Sequence, residues 1–229
     1  MKKLLLTLLG LAGASTAFAQ VEIGLKLSPS ITSLRTEGPS NSKFENGDTK
    51  LSLGGGLLVD YFFGENYAFS TGLFLTGRGG TFTYADSPPP TSSSTAKITV
   101  SQKLAVQYLE IPLTVKLFTN EVSPGTHVYF QVGGALATPV GVRINGGKFY
   151  TDPSTTEETK AFSHVFFLDA NVLAGAGVEY QLGTSTKILA GLSYHRGLID
   201  TDRYLQKTRG FDNVAIKNSE VALDLGLKF

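Results

Sequence analysis

The sequence predicts an all-β chain, an eight-stranded antiparallel up-and-down transmembrane β-barrel. Three observations carry this prediction. Eight segments alternate apolar with small or polar residues at the period of a strand. Their connections alternate short and long, with both ends of the mature chain on the short side. The composition is poor in charge (17%) and rich in glycine, 26 of 229 residues, about 11% against a usual ~7%.

Residues 1–19 read as an export signal and stand apart from the barrel. Lys2 and Lys3 precede an apolar run from Leu4 to Ala12, and Ala17-Phe18-Ala19 forms a small-x-small cleavage pattern that leaves Gln20 as the new N-terminus. That run is too short to span a bilayer as a helix, and the leader has no cysteine to acylate. Without Lys2 and Lys3 the chain carries 18 basic and 19 acidic residues, a net charge of −1. The remainder, residues 20–229, forms one barrel domain.

The strands follow in order. Val21, Ile23, Leu25 and Leu27 alternate with Glu22, Gly24, Lys26 and Ser28. Leu51–Phe63 and Tyr67–Gly77 alternate less cleanly. Leu109, Ile111, Leu113, Val115 and Leu117 alternate with Tyr108, Glu110, Pro112, Thr114 and Lys116. Val128, Phe130 and Val132 oppose Tyr129, Gln131 and Gly133. Ala170 through Tyr180 and Ile188 through Tyr194 keep the pattern, and Val221, Leu223, Leu225, Leu227 and Phe229 close it. Short turns lie at Gly64-Glu65-Asn66, Thr119–Thr126 and around Gly183, and long segments at Ser33–Lys50, Gly79–Gln107, Thr138–Val165 and Ile199–Ala215.

The apolar face is assigned to lipid and the small or charged face to the lumen, the reverse of a soluble lipocalin-like barrel. Gly, Ala, Ser and single charges suit the narrow interior of eight strands, which side chains alone fill. Tyr61, Phe63, Tyr67, Phe69, Phe118, Phe130, Tyr180 and Phe229 gather on the turn side as an interfacial girdle. Lumen charges must be paired. Closing the first strand on the last with residue numbers summing to 250 places Glu22 opposite Lys228 and Lys26 opposite Asp224. A sum of 366 around Gly183 places Glu179 opposite Lys187 and His195 opposite Asn171. Pro112 lacks a ladder donor, so a bulge or break is expected there.

Tyr108-Leu109-Glu110-Ile111-Pro112-Leu113, followed by Val115 and Lys116 and then by Val132-Gly133-Gly134, resembles the PorT-type, porin-like outer-membrane β-barrel family of Bacteroidetes. The resemblance covers residues 21–229 and implies residence in the cell outer membrane. It implies that Phe229 is the terminal signal read by the barrel-insertion machinery during biogenesis. Some relatives take part in secretion or gliding machinery, and the motif assigns no chemistry.

Catalytic, cofactor and metal residues are therefore assigned to none. The absence of cysteine excludes disulfides, thiolate metal sites and a cysteine nucleophile, and near-neutral charge argues against nucleic acid. His127 and His164 are expected to be solvated. His195 shares a face with Ser193 and lies below Asp200 and Asp202, a poor geometry for a triad. The reading is a non-enzymatic, monomeric barrel with a plugged polar lumen. It serves as membrane scaffold or surface-interaction protein, and its partners are outer-membrane lipid and a surface or secretion-system protein. The alternatives are a lipid or peptide hydrolase at His195, an accessory component of a secretion system, and a narrow pore.

Overall fold

The computed structural model describes residues 20–229, so the expected signal and its cleavage after Ala19 lie outside the described residues. Eight long strands form the ring: β1 (Val21–Glu37), β2 (Lys50–Gly64), β3 (Tyr67–Asp86), β4 (Ile98–Phe118), β5 (Thr126–Ile144), β6 (Asp169–Gln181), β7 (Lys187–Gly197) and β8 (Ala215–Lys228). Each pairs antiparallel with the next, and β1 pairs with β8, so the ring is closed. Closure matters because a strand edge left in hydrocarbon would expose backbone donors and acceptors with nothing to bind.

The faces are those of a membrane barrel. Ile23, Leu25, Leu57, Leu73, Leu113, Val132, Val172, Leu192 and Leu223 all point outward and are exposed. Glu22, Asp60, Glu110, Lys116, Glu179, Asp224 and Lys228 are buried inside. Phe63, Tyr67, Phe69, Phe130, Tyr180 and Phe229 lie exposed near the turn end, as a girdle requires. Phe118 is a correction to that girdle. It points inward and stacks on Phe62 at 5.4 Å, at the turn end of the lumen.

The strands run well past the boundaries expected for them. β4 has 21 residues, about 70 Å of strand, where ~10 cross a bilayer. The expected loop Gly79–Gln107 shrinks accordingly to residues 87–97. Above the apolar belt the same alternation continues with its polarity reversed. Thr81, Thr83, Ser101 and Lys103 face out while Phe82, Tyr84, Leu104 and Val106 face in. These inner residues join Ile144, Tyr150, Tyr204, Leu205 and Ile216 in the largest apolar core of the described residues, at the loop end. The barrel is thus inside-out in the membrane and of soluble type beyond it.

One irregularity makes the switch possible on β5. Tyr108 faces Pro139 but Val106 faces Val142, so Val140 is an extra residue and the inward positions pass from odd to even. Val142 and Ile144 thereby reach the core. At Pro112 the β3–β4 ladder lapses between Leu113 and Glu110 while its register is kept, and Thr71 Oγ1 donates to the Pro112 carbonyl at 2.9 Å.

Two expected registers are corrected by two residues each. β1 meets β8 with Gly24 opposite Lys228 and Lys26 opposite Gly226. β6 meets β7 with Gln181 opposite Lys187 and Asn171 opposite Gly197, because the turn centres on Thr184, one residue beyond Gly183. An even offset keeps every side chain on its predicted face.

Candidate functional site

The lumen holds two charge clusters joined by a bridging pair. Near the turn end Lys228 Nζ lies 2.8 Å from carboxylate oxygens of Glu22, Asp60 and Glu179. Lys116 Nζ reaches Asp60 at 2.8 Å and Glu179 at 4.0 Å, and Lys187 Nζ reaches Glu22 at 2.5 Å. Three lysines therefore meet three carboxylates, and the cluster is neutral. The rings of Phe62 and Phe118 lie 5.7 and 5.6 Å from the Lys228 ammonium, and Tyr129 lies 5.3 Å from that of Lys116. Glu179 does not pair with Lys187 as expected. The shifted turn sets Glu179 opposite Leu189, where it reaches Lys228, and leaves Lys187 to Glu22.

Midway up, Lys26 lies 3.1 Å from Asp224, which also accepts from Ser28 Oγ at 2.6 Å. Neither Glu22 and Lys228 nor Lys26 and Asp224 are direct cross-strand neighbours. Their flexible side chains reach diagonally across the two-residue offset.

Arg78 centres the upper cluster. Its guanidinium donates to Glu110, to Glu220 at 2.8 Å, and lies 3.8 Å from Asp169. Asn171 Nδ2 donates to Glu110 at 3.3 Å, and Asn218 Nδ2 to Asp169 at 3.0 Å and to the Tyr108 hydroxyl at 3.3 Å. His195 Nδ1 faces Asn171 Oδ1 at 3.3 Å and lies 3.9 Å from Glu110. Among the described residues Ser193 Oγ has no hydrogen-bond partner, and the space beside His195 is about 20 Å³, the room of a single water.

The motif residues divide between the two faces of β4. Tyr108, Glu110, Pro112 and Lys116 point into the lumen, and Ile111 and Leu113 are exposed to lipid beside the half-buried Leu109. Phe229 pairs outside the named strands with Ile23, its N–H donating to the Ile23 carbonyl at 2.8 Å.

The loop end is closed by a second set of contacts. Arg209 donates to Asp86 at 2.5 Å and lies 3.0 Å from Asp152, tying the last loop to β3 and to the loop after β5. Ser154 Oγ donates to Asp86 at 2.7 Å and the Tyr204 hydroxyl to Asp152 at 3.1 Å. His164, expected in solvent, is buried instead: its ring stacks on Tyr204 at 3.9 Å, and burial holds the imidazole down at about pKa 4. Asp202 accepts from the backbone N–H groups of Leu205 and Gln206, and burial pushes its carboxyl up to about 7. Asp200 accepts from Asp202 N and Ile216 N, so both carboxylates fold the loop.

Sequence reasoning missed Asp60, Arg78, Asp86, Asp152 and Arg209. The first two were within reach, since each continues the inward parity of its strand: Leu58 then Asp60, Phe74 and Thr76 then Arg78.

The outer membrane protein beta-barrel domain family matches residues 16–203. No curated protein matches the chain. Among solved structures, Ail of Yersinia pestis in complex with the heparin analogue sucrose octasulfate is similar at 12% identity and TM-score 0.42, over 92% of this chain and 99% of that one. Neisserial surface protein A is similar at 10% identity and TM-score 0.45, over 93% and 99%. The outer membrane protease OmpT of Escherichia coli is similar at 11% identity and TM-score 0.40, over 91% and 96%. With a closed eight-strand ring, an outward apolar belt and a family match over most of its length, this chain belongs to the outer membrane protein beta-barrel domain family and resides in the outer membrane.

Proposed function

We propose that the protein is a non-enzymatic, monomeric outer-membrane barrel acting as scaffold or surface-interaction protein, with its loop end as the working surface. The closed interior carries this reading. The lumen is filled by ion pairs from Lys228 up to Arg78, and the apolar core with its Arg209 staple seals the loop end. A pore needs a continuous polar path, and a hydrolase at His195 needs space and an aligned nucleophile. The lumen cluster of Glu22, Lys26, Glu179, Lys187, Asp224 and Lys228 is then a structural plug that fixes register.

The PorT-type subfamily rests on Tyr108–Leu113 with Val115 and Lys116 and on Val132-Gly133-Gly134, and a role beside secretion machinery goes with it. Phe229, exposed just past the end of β8, is the proposed insertion signal. Planar-bilayer recording, together with lipid and peptide hydrolysis assays on wild type and His195→Ala, tests the proposal. We expect no unitary openings and no turnover. Regular openings, or an activity abolished in His195→Ala, would overturn it. A tag in the exposed Pro88–Ser94 segment then allows cross-linking from intact outer membranes, where a recurrent secretion-system partner would establish the specialised role.

A further inference from the structure

Charges on the outward face of the barrel strands are confined to the loop end. They are Arg35, Glu37, Lys103, Arg143, Arg196 and Lys217, five of the six being basic. The lumen cations of the described residues are matched by carboxylates, but these outer ones are not. A basic rim directly above an apolar belt is complementary to a leaflet of anionic lipid.

Within this rim the wall is hollowed into a groove of about 800 Å³. The reason is local. The β2–β3 ladder stops at Gly55 opposite Leu75, so Lys50–Gly54 stays paired with β1 but no longer with β3. Next to the break the outward side chains shrink: Gly77 on β3, Ala105 on β4 and Gly141 on β5 line the groove. Gln107 pairs with Gly77 on one side and Gly141 on the other, so its outward side chain lies between the two glycines, and Ala105 pairs with Arg143 one step toward the loops. Leu51 and Leu53, 81% and 66% exposed, form one wall. Phe149 and Phe162, at the two ends of the hairpin after β5, form the other.

Lys50, Arg143, Lys148 and Lys160 line the same groove, and among the described residues none has a carboxylate within 4.0 Å. The hairpin's own acidic residue in its short ladder, Glu158, pairs across to Thr151. A groove with Gly77, Ala105 and Gly141 beside Gln107 on its floor, leucine and phenylalanine walls, and four cations with no carboxylate within 4.0 Å suits an amphiphile with an acyl chain and a phosphorylated head.

We propose that this groove on the outer wall is a binding site for a phosphate-bearing lipid of the outer leaflet, its acyl chain over Gly77, Ala105 and Gly141 and its phosphates on Arg143, Lys148 and Lys160. The proposal rests on the membrane placement of the barrel and not on the absence of catalysis, so conductance or hydrolysis results leave it standing.

The test uses the full chain in neutral-detergent micelles, with bis-phosphorylated lipid A and its dephosphorylated form as probes and native mass spectrometry as the readout. Arg143→Gln/Lys148→Gln/Lys160→Gln is expected to weaken retention of the phosphorylated lipid by about fivefold per cation, near a hundredfold in all. Ala105→Phe keeps every charge and fills the floor, and is expected to lose the lipid as well. Both substitutions lie on the outer surface, and unchanged heat-modifiable mobility on gels certifies that the variants fold. Equal retention of the dephosphorylated lipid, unchanged binding in either variant, or complete displacement by millimolar inorganic phosphate would overturn the proposal.

Discussion

Glu22 and Lys228 stand near opposite ends of the described residues and meet 2.8 Å apart inside the barrel, although the ladder places Gly24, not Glu22, opposite Lys228. Ring closure and the turn-end charge cluster therefore depend on one another.

Lys228→Met tests that dependence. It leaves Glu22, Asp60 and Glu179 facing one another with only Lys116 and Lys187 to balance them. A buried pair broken on one side typically costs about 3–5 kcal/mol. The urea midpoint of barrel unfolding in detergent micelles should fall accordingly, and an unchanged midpoint would separate closure from the cluster.

Arg78→Met removes the one guanidinium held among Glu110, Asp169 and Glu220, and should destabilise by a similar roughly 3–5 kcal/mol. Arg78→Met/Glu110→Leu/Glu220→Leu removes most of the excess charge with its partner. It is expected to recover much of the loss when the same unfolding curves are compared.

Arg209→Ala should act on the loops and spare the ring. Its two carboxylate contacts join β3 to two loops, and hydrogen bonds to charged groups are each worth about 1.5–3 kcal/mol. Limited proteolysis is expected to cut residues 152–160 at least tenfold faster, with the heat-modifiable shift of the barrel intact.

The loop cap should respond to pH in two opposed ways. His164 titrates near 4 in the fold against 6.5 when exposed, so its contribution is present above 6.5 and is lost as pH falls through 4. Asp202 titrates near 7 against 3.8, so its contribution is full below 3.8 and is lost as pH rises through 7. Asp202→Asn should therefore give a cap that loosens steadily from pH 6.5 to 4. His164→Phe should give one that tightens as pH falls from 7. Protease accessibility of the loops across this range measures both, and parallel profiles for the two variants would refute the assignment.

Much of the ring could be read from residue order. Alternation in Val221–Phe229 or Ala170–Tyr180 states which side chains face lipid, because the strand period is two and the bilayer demands one apolar face. The loop end was less legible for a physical reason. Beyond the bilayer the apolar side chains turn inward, so Thr81–Asp86 alternates with inverted meaning and reads as a polar loop. Val140 hides a further change, since one inserted residue exchanges the faces of β5.

By itself the sequence determined the strand number, the inside-out faces and the identity of most lumen charges, all properties that period and polarity encode locally. Tertiary structure decided which charges meet. Glu179 left Lys187 for Lys228 because ring closure and the placement of the turn set the stagger between strands, and Arg209 found Asp86 and Asp152 because the loops fold together over the barrel. Residue order along one strand carries no record of that stagger.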